Sequence, residues 1–283
     1  MKIDFNTKFV TLIGTPLSQS FAARMQNSAY EAMGLNLHYF YTEADETHLK
    51  QIIDGIRYMP SFIGAAITKP NKVKVMDYLD EIDPLCAKIG ACNTIVKKDS
   101  KLIGYNTDAS GFLASIKEDV TKHTFFCFGA GGAGHAICSI LADHGAKRVY
   151  ISDLYEKSAI DLTDKINRNI SDIAEYVPYQ DYSKIQDSTF IINASGIGMG
   201  KAINETPLPE EYILKGQYYF DACYNPSKTL FLINAEKKGC QIQNGLDMSL
   251  YQGAEQIRLW TNKNAPIEEM RSELLQILEE TRG

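Results

Sequence analysis

The sequence predicts an α/β protein of two domains, with helices that follow the second domain and pack back on the first. Two observations predict this architecture. Short apolar, β-branched runs alternate with longer amphipathic runs along the chain, and this alternation is typical of βαβ units with helices on both faces of a mostly parallel sheet. The chain of 283 residues is long enough for one large domain or two of medium size, either able to bury a core.

The first series of elements covers residues 9–105. Strands are predicted at 9–13, 37–41 and 62–67, with amphipathic helices at 22–33 and 47–58 between them. Gly34 follows the first helix, as is common at helix C-termini. Two further strands, 91–97 and 102–105, flank the turn-prone Lys98-Asp99-Ser100.

A second series of strands predicts the second domain. These strands are predicted at 124–128, 148–152, 189–193, 217–221 and 241–243. We place the domain boundary at Asp108, where a helix start follows Asn106-Thr107, so the first domain covers residues 1–108 and the second covers residues 109–245. Residues 246–283 are helical by pattern and are predicted to return to the first domain.

Composition excludes several classes of function. The net charge is −6, with acids and bases interleaved, so there is no basic footprint for nucleic acid or an anionic membrane. No window approaches the ~18 uninterrupted apolar residues of a membrane span, and no signal peptide is predicted. Six scattered cysteines without a C-x-x-C pair, and five histidines without an H-E-x-x-H cluster, predict reduced thiols, a cytoplasmic location and no metal.

A glycine-rich turn joins the first strand of the second domain to a helix. Residues 124–128 run into Gly129-Ala130-Gly131-Gly132-Ala133-Gly134, and a helical run at 135–141 follows. This is the G-x-G-x-x-G pattern of a Rossmann-type, doubly wound dinucleotide domain, in which the helix N-terminus faces the pyrophosphate. We predict NAD(P) binding here, and the alternative is a glycine-rich loop without a cofactor.

The end of the next strand indicates which dinucleotide binds. Asp153 follows the strand at 148–152, at the distance where an acid holds the adenine ribose hydroxyls. Its charge would repel a 2′-phosphate, and the following residues 154–156 contain no arginine. Lys157 is the nearby cation. The pattern therefore favours NAD, with NADP less favoured.

The motifs along the chain resemble those of the shikimate dehydrogenase family. Residues 64–72, GAAITKPNK, are similar to its G-x-N-V-T-x-P-x-K segment, residues 89–94 to I-G-A-x-N-T, and residues 104–108 to G-x-N-T-D. The glycine-rich turn and the segments at 193–199, 221–226 and 244–252 follow in the family's order. Residues 25–27, 70–72 and 252–256 resemble most the quinate/shikimate dehydrogenase branch, whose members often use NAD.

The resemblance implies a reversible oxidation of shikimate to 3-dehydroshikimate, or of quinate to 3-dehydroquinate, in the shikimate pathway of aromatic amino acid biosynthesis. Such a reaction needs a group that moves the hydroxyl proton. The family's proton-transferring lysine falls on Lys72, and its partner carboxylate falls on Asp108. Lys72 could instead be a solvated surface residue like its neighbours Lys69 and Lys74, and Asp108 could be only a helix N-cap.

The resemblance also implies further contacts in a substrate domain and a cofactor domain. The residues assigned to the substrate are Ser18, Ser20, Thr68, Asn93, Tyr224 and Gln252. The residues assigned to the cofactor beside the glycine-rich turn and Asp153 are Asn193, Ser195, Gly245 and Met248. Asn93 could merely complete a strand end, and Tyr224 could be a core aromatic.

The first motif of the family is altered here. The family has G-x-P-x-x-H-S-x-S-P, with two serines for the substrate carboxylate, and this chain has GTPLSQSFAA at residues 14–23. Ser20 matches the first serine in the ungapped alignment, and Ala22 replaces the second. Gln19 and Ala23 replace the histidine and the proline, and a gapped alignment would use Ser18 instead. Ala66 replaces the asparagine of N-V-T.

These observations predict an NAD(P)-dependent oxidoreductase that acts on a cyclic hydroxy carboxylate, with no nucleic-acid or membrane partner. Because Ala22 and Ala66 remove expected polar contacts, a paralogue that oxidises a different small or cyclic hydroxy acid is one alternative. A non-catalytic dinucleotide-binding sensor is another, and intact Lys72 and Asp108 argue against it. Whether the protein forms a homodimer stays open.

Overall fold

The structure, a computed structural model, describes residues 3–18 and 20–280. It divides into two units: one contains the residues up to Gly111 and those from Leu250 onward, and the other is Phe112–Ser249. The sequence places the domain limits at 108 and 245. Both divisions fall inside helices, Thr107–Ser115 (α4) and Leu246–Thr261 (α8), so neither unit is joined to the other through a loop.

The first unit contains a six-stranded sheet in the order β2-β1-β3-β5-β6-β4. Its strands are Lys8–Gly14 (β1), Leu37–Glu43 (β2), Phe62–Ile67 (β3), Glu81–Ile82 (β4), Thr94–Lys98 (β5) and Lys101–Tyr105 (β6). Its helices before α4 are Ala22–Ala32 (α1), Glu46–Arg57 (α2) and Pro84–Ile89 (α3). Gly34 has a φ of 62° directly after α1, and the Asp45 side chain caps α2 by accepting from Thr47 N–H.

The sheet of the first unit is mixed, which differs from the mostly parallel sheet predicted for this half. β1 pairs in parallel with β2 and β3, whereas β5 runs antiparallel to both β3 and β6. The β5–β6 turn is tight, with Asp99 at a φ of 56°, and so short a connection can only join antiparallel strands. β5 also begins at Thr94 rather than at the predicted residue 91.

The second unit contains a six-stranded sheet in which every described pairing is parallel. Its strands are Thr124–Phe128 (β7), Arg148–Ser152 (β8), Ala174–Tyr176 (β9), Phe190–Asn193 (β10), Tyr218–Asp221 (β11) and Gln241–Asn244 (β12). Its helices are Gly132–Asp143 (α5), Glu156–Asn169 (α6) and Leu230–Lys237 (α7). The order β12-β11-β10-β7-β8-β9 is that of a doubly wound dinucleotide-binding sheet, whose topology reverses between β7 and β10.

The C-terminal helices pack on the first unit, as predicted. The Trp260 side chain of α8 donates from Nε1 to the Ile95 carbonyl oxygen of β5 at 2.9 Å. The last helix, Ile267–Glu280 (α9), lies against α1, and Glu273 accepts a salt bridge from Arg24 at 2.7 Å. The predicted fold class, two α/β domains with returning helices, is confirmed.

Candidate functional site

The glycine-rich turn lies between β7 and α5 in the second unit. Gly129 has a φ of 107°, and a Cβ added there would lie 2.6 Å from the Ser195 nitrogen. A Cβ at Gly134 would lie 2.0 Å from the Gly129 oxygen. A Cβ at Gly131 meets no atom within 4 Å among the described residues. Packing thus requires glycine at positions 129 and 134, while position 131 leaves space beside the N-terminus of α5.

A cavity of about 310 Å³ opens at this turn. It lies where the carboxyl ends of β7, β8 and β10 meet, the place at which doubly wound sheets bind their ligands. The predicted cofactor residues Gly129, Ala130, Gly131, Asp153 and Ser195 all line it. Its other lining residues are Phe128, Ser152, Leu154, Tyr155, Ser158, Tyr179, Ala194, Ile197 and Pro207.

Asp153 joins the end of β8 to the glycine-rich turn. Its Oδ2 accepts from Ala130 N–H at 2.6 Å, and its Oδ1 accepts from Tyr155 N–H at 2.8 Å. Each carboxylate oxygen has a further lone pair with which to accept a ribose hydroxyl. Lys157 pairs with Asp161 at 2.7 Å, one turn further along α6. Both side chains are exposed, so the nearby cation of the sequence forms a surface pair.

Asn193 supports the loop that lines the cavity. It is fully buried, and its Nδ2 donates to the Ile197 oxygen at 2.8 Å and to Asp221 Oδ2 at 3.1 Å. Its Oδ1 accepts from the Ser195 hydroxyl at 2.6 Å. Asp221, which the sequence analysis did not single out, also accepts from the Thr229 hydroxyl at 2.6 Å, and burial raises the pKa of its carboxyl group. The polar contacts of Asn193 are thus made within the protein.

Lys72 and Asp108 form an ion pair in the first unit. Lys72 Nζ lies 2.5 Å from Asp108 Oδ2, and the two side chains are 18% and 13% exposed. Lys69 and Lys74 are exposed instead, and Lys74 pairs with Asp77. The interpretation of Lys72 as a solvated surface lysine is therefore wrong, because Lys72 is held in a half-buried pair.

The start of α4 is capped by Asn106 and not by Asp108. Asn106 Oδ1 accepts from Ala109 N–H at 3.1 Å, the N-cap hydrogen bond, while its Nδ2 donates to the Ala91 oxygen at 2.7 Å. Asp108 lies in the first turn of α4, so its carboxylate is available to Lys72. The alternative interpretation of Asp108 as the helix cap is therefore wrong.

Asn93 is engaged with the same helix start. Its Oδ1 accepts from Thr107 N–H at 2.7 Å, and its Nδ2 donates to the Thr107 hydroxyl at 3.0 Å. The side chain is 2% exposed, so one Nδ2 hydrogen is its remaining donor. Thr68 follows β3 and is half-buried, with its N–H bonded to the Ile13 oxygen at 2.9 Å.

The altered first motif lies between β1 and α1. Ser18 is exposed and Ser20 is half-buried, and Ser20 Oγ accepts from Ala22 N–H at 3.3 Å. Tyr41 of β2, which the sequence analysis did not single out, donates its hydroxyl to the Ser20 carbonyl oxygen at 2.7 Å and accepts from Ala23 N–H at 3.2 Å. Gln19 lies outside the described residues. Ala66 is buried in β3.

The remaining predicted residues belong to different units. The second unit contains Tyr224, which is half-buried, and Gly245 and Met248, which are buried. Gln252 is half-buried and belongs to the part of α8 in the first unit. A Cβ at Gly245 would lie 2.1 Å from the Ala222 oxygen, so glycine is required where β12 meets α8. This packing explains Gly245 without a cofactor contact.

The described residues contain no group of three or more histidine, cysteine, aspartate or glutamate side chains placed to hold a metal ion. The six cysteines, all within the described ranges, form no disulfide. Among those residues, no helix has both the length and the apolar character needed to cross a membrane.

Comparison with known proteins identifies the family. The family model described as the shikimate dehydrogenase substrate binding domain matches residues 12–95, and the shikimate 5′-dehydrogenase C-terminal domain matches residues 245–275. A relative from Moorella thermoacetica, named shikimate dehydrogenase (NADP(+)), is 35% identical over 275 residues, which cover 94% of this chain and 92% of that protein. Further curated relatives at 34–37% identity carry the same name.

Solved structures agree with this comparison. Shikimate 5-dehydrogenase from Listeria monocytogenes, in complex with shikimate and NAD, has a TM-score of 0.91 and 33% identity, covering 97% of this chain and 98% of that one. Quinate dehydrogenase from Corynebacterium glutamicum, in complex with NAD, has a TM-score of 0.88 and 28% identity, covering 95% and 99%. The chain therefore belongs to the shikimate dehydrogenase family, and the prediction of a nicotinamide-dependent oxidoreductase is confirmed.

Proposed function

We propose that this protein interconverts shikimate and 3-dehydroshikimate with a nicotinamide dinucleotide, and that Lys72 transfers the hydroxyl proton. The observation that carries the proposal is the half-buried Lys72–Asp108 pair, which lies at the positions where the family motifs put a proton-transferring lysine and its carboxylate. The relatives and the Listeria structure carry shikimate in their names, which supports the choice of substrate.

A bound dinucleotide would supply the hydride acceptor that oxidation of the alcohol carbon requires. For oxidation of the alcohol, Lys72 must first release the ammonium proton of its ion pair. The amine then accepts the proton of the hydroxyl group, so that a C=O bond forms as the O–H and C–H bonds break. Asp108 holds Nζ in place and balances the charge of the ammonium group that results. In the reverse direction Lys72 returns the proton to the alkoxide oxygen.

The second unit offers what a dinucleotide needs. The open space at Gly131 and the backbone N–H groups at the start of α5 suit a pyrophosphate, and the cavity of about 310 Å³ continues from them along the end of β8. Asp153 is within this lining and suits the ribose hydroxyls. Ser195 is the polar residue that follows β10 on the other side.

The proposed dinucleotide is NAD. The charge of Asp153 disfavours a 2′-phosphate, and residues 154–156 contain no arginine to offset that charge. The names of the curated relatives point instead to NADP, whereas the Listeria and Corynebacterium structures contain NAD. Comparing kcat/KM for NAD and NADP tests this choice, and a preference for NADP would refute it.

Quinate is the second candidate substrate. It is supported by the resemblance of residues 25–27, 70–72 and 252–256 to the quinate/shikimate branch and by the likeness to the Corynebacterium quinate dehydrogenase. Ala22, in place of a serine for the carboxylate, leaves room for a different hydroxy acid. The experiment is a set of reduced-nicotinamide assays with shikimate, quinate and a panel of other hydroxy acids. Turnover of shikimate or quinate supports the proposal, turnover of another acid alone supports a paralogue, and dinucleotide binding without any turnover supports a sensor.

A further inference from the structure

A chain of buried hydrogen bonds runs from α8 to the first turn of α4 within the first unit. Gln256 of α8 is 3% exposed, and its Nε2 donates to the Thr94 hydroxyl oxygen at 3.0 Å. Thr94, which is fully buried, donates to Asn93 Oδ1 at 2.9 Å. Asn93 Oδ1 in turn accepts from Thr107 N–H at 2.7 Å. These bonds thus connect a C-terminal helix to Thr107, the residue that precedes Asp108.

The Thr94 hydroxyl joins Gln256 to the start of α4. A threonine hydroxyl has one hydrogen, and because Gln256 donates to the Thr94 oxygen, that hydrogen can bond either Asn93 Oδ1 or the Thr107 hydroxyl oxygen. The Thr94 and Thr107 hydroxyl oxygens also lie 3.1 Å apart. At the other end, Gln256 Oε1 accepts from Gln26 Nε2 at 3.2 Å. A buried network of this kind holds its members in one arrangement more firmly than separate contacts would.

The segment at the centre of this chain also holds Lys72. Cys92 N–H donates to the Lys72 carbonyl oxygen at 2.7 Å, and the Ala91 oxygen accepts from Asn106, the cap of α4. Residues 91–94 therefore contact the backbone of Lys72 on one side and the start of the helix that carries Asp108 on the other. Fixing this short segment therefore restrains the backbone from which each member of the ion pair extends.

We propose that Gln256 is a positioning residue for the reaction, acting through Thr94 and Asn93 on Thr107 and hence on Asp108 and Lys72. This inference rests on the proposed function, in which Lys72 transfers the hydroxyl proton and Asp108 holds Lys72 Nζ in place. Misplacing a reacting group by about 1 Å can cost ~10²-fold in rate. When these hydrogen bonds are broken but the ion pair can still form, we expect a smaller loss, of about tenfold in kcat.

The test uses two variants that each remove a hydrogen bond from this network, and one matched control. Gln256→Met and Thr94→Val each keep the side-chain volume and remove the polar group. Thr11→Val is the control, because Thr11 is a 2% exposed threonine of the same sheet whose hydroxyl bonds to Thr42 at 2.8 Å, apart from this network. The readouts are kcat with shikimate and quinate, the NAD Kd, and hydrogen exchange of the Thr107 amide.

Gln256→Met and Thr94→Val should each lower kcat about tenfold. The double variant should have a kcat only slightly lower than either single variant, because both substitutions break the same series of hydrogen bonds. Thr107 exchange should quicken while the NAD Kd stays the same. Thr11→Val should leave kcat and Thr107 exchange unchanged, although it too loses a buried hydroxyl. If either Gln256→Met or Thr94→Val does not fold, the other variant still tests the positioning role.

Two results would overturn the inference. One is that Gln256→Met and Thr94→Val keep the wild-type kcat and the wild-type hydrogen exchange rate of the Thr107 amide. The other is that Thr11→Val lowers kcat as much as they do. Failure of the proposed function looks different. The wild-type protein would then turn over neither acid, and the positioning role would fall with it, while Thr107 exchange would still report whether Gln256 holds the start of α4.

Discussion

The two units prepare their functional groups in different ways. In the second unit the turn at 129–134 presents backbone, and glycines at 129 and 134 are required because a Cβ would meet main-chain atoms. In the first unit the groups are side chains, and buried side-chain hydrogen bonds from Asn93 and Asn106 hold the helix that carries Asp108. Binding a phosphate needs backbone N–H groups, which every residue except proline has, whereas moving a proton needs one particular side chain in one position.

The largest expected effect is the loss of Lys72. Lys72→Ala should lower kcat for the preferred acid by ~10²–10⁴-fold, the usual contribution of a general acid–base group. Lys69→Ala is the matched control, because Lys69 is an exposed lysine of the same segment and should keep wild-type kcat. A loss below about tenfold for Lys72→Ala would show that another group moves the proton.

The next effect sharpens the account of the second unit. Asp153→Ser combined with Leu154→Arg replaces a negative charge by a positive one where the 2′-phosphate would lie. A hydrogen bond to a charged group contributes about 1.5–3 kcal/mol, so the ratio of kcat/KM for NADP to that for NAD should rise ~10–100-fold. Lys157→Ala should change this ratio far less, because Lys157 is exposed and does not line the cavity. An unaltered ratio in the double variant would contradict the role of Asp153.

A smaller effect is expected at the altered first motif. Ala22→Ser restores the second serine, and it should improve kcat/KM for shikimate or quinate by about tenfold. The gain should come through KM, because the carboxylate is bound alike in the ground and transition states. No gain with either acid, together with a loss on a third, would favour the paralogue instead.

The smallest effect compares two helix caps of the first unit. Asn106→Ala and Asp45→Ala each remove an N-cap hydrogen bond and should lower the free energy of unfolding by about 1 kcal/mol. Asn106→Ala should also lower kcat, since it caps the helix of Asp108, while Asp45→Ala should not. Denaturant titrations and kcat separate the two, and equal kcat values would remove Asn106 from the account.

How far the sequence predicted these features depends on whether they are local. The glycine-rich turn was found because its strand, glycines and helix are consecutive. The cap of α4 was not resolved, because Asn106 and Asp108 are both good caps two residues apart and only the structure shows which accepts from Ala109. Gln256 gave no signal as part of a network, since its burial depends on residues 26 and 94, far away along the chain.

The mixed sheet was missed for the same reason. The turn at Lys98-Asp99-Ser100 was recognised, but the pairing of β5 with β3 joins residues 94–96 to residues 64–66, and no local pattern specifies that partner. The sequence analysis did not predict the short helix α3, although the sequence contains a signal for it. Asp83 and Pro84 form a good helix N-terminus, and Asp83 accepts from the N–H groups of Leu85 and Cys86.

The division between a backbone site and a side-chain site is tested most directly by titrating NAD into two variants. Lys72→Ala should bind NAD with a Kd within about twofold of the wild type while losing ~10²–10⁴-fold in kcat. Gly131→Val should keep the ion pair and bind NAD far more weakly, because the new side chain fills the space at the turn. Gly131 has a φ of −79° and a ψ of −166°, which suit any residue, so backbone strain would not explain the loss. Wild-type NAD binding by Gly131→Val, or loss of NAD binding by Lys72→Ala, would contradict the account.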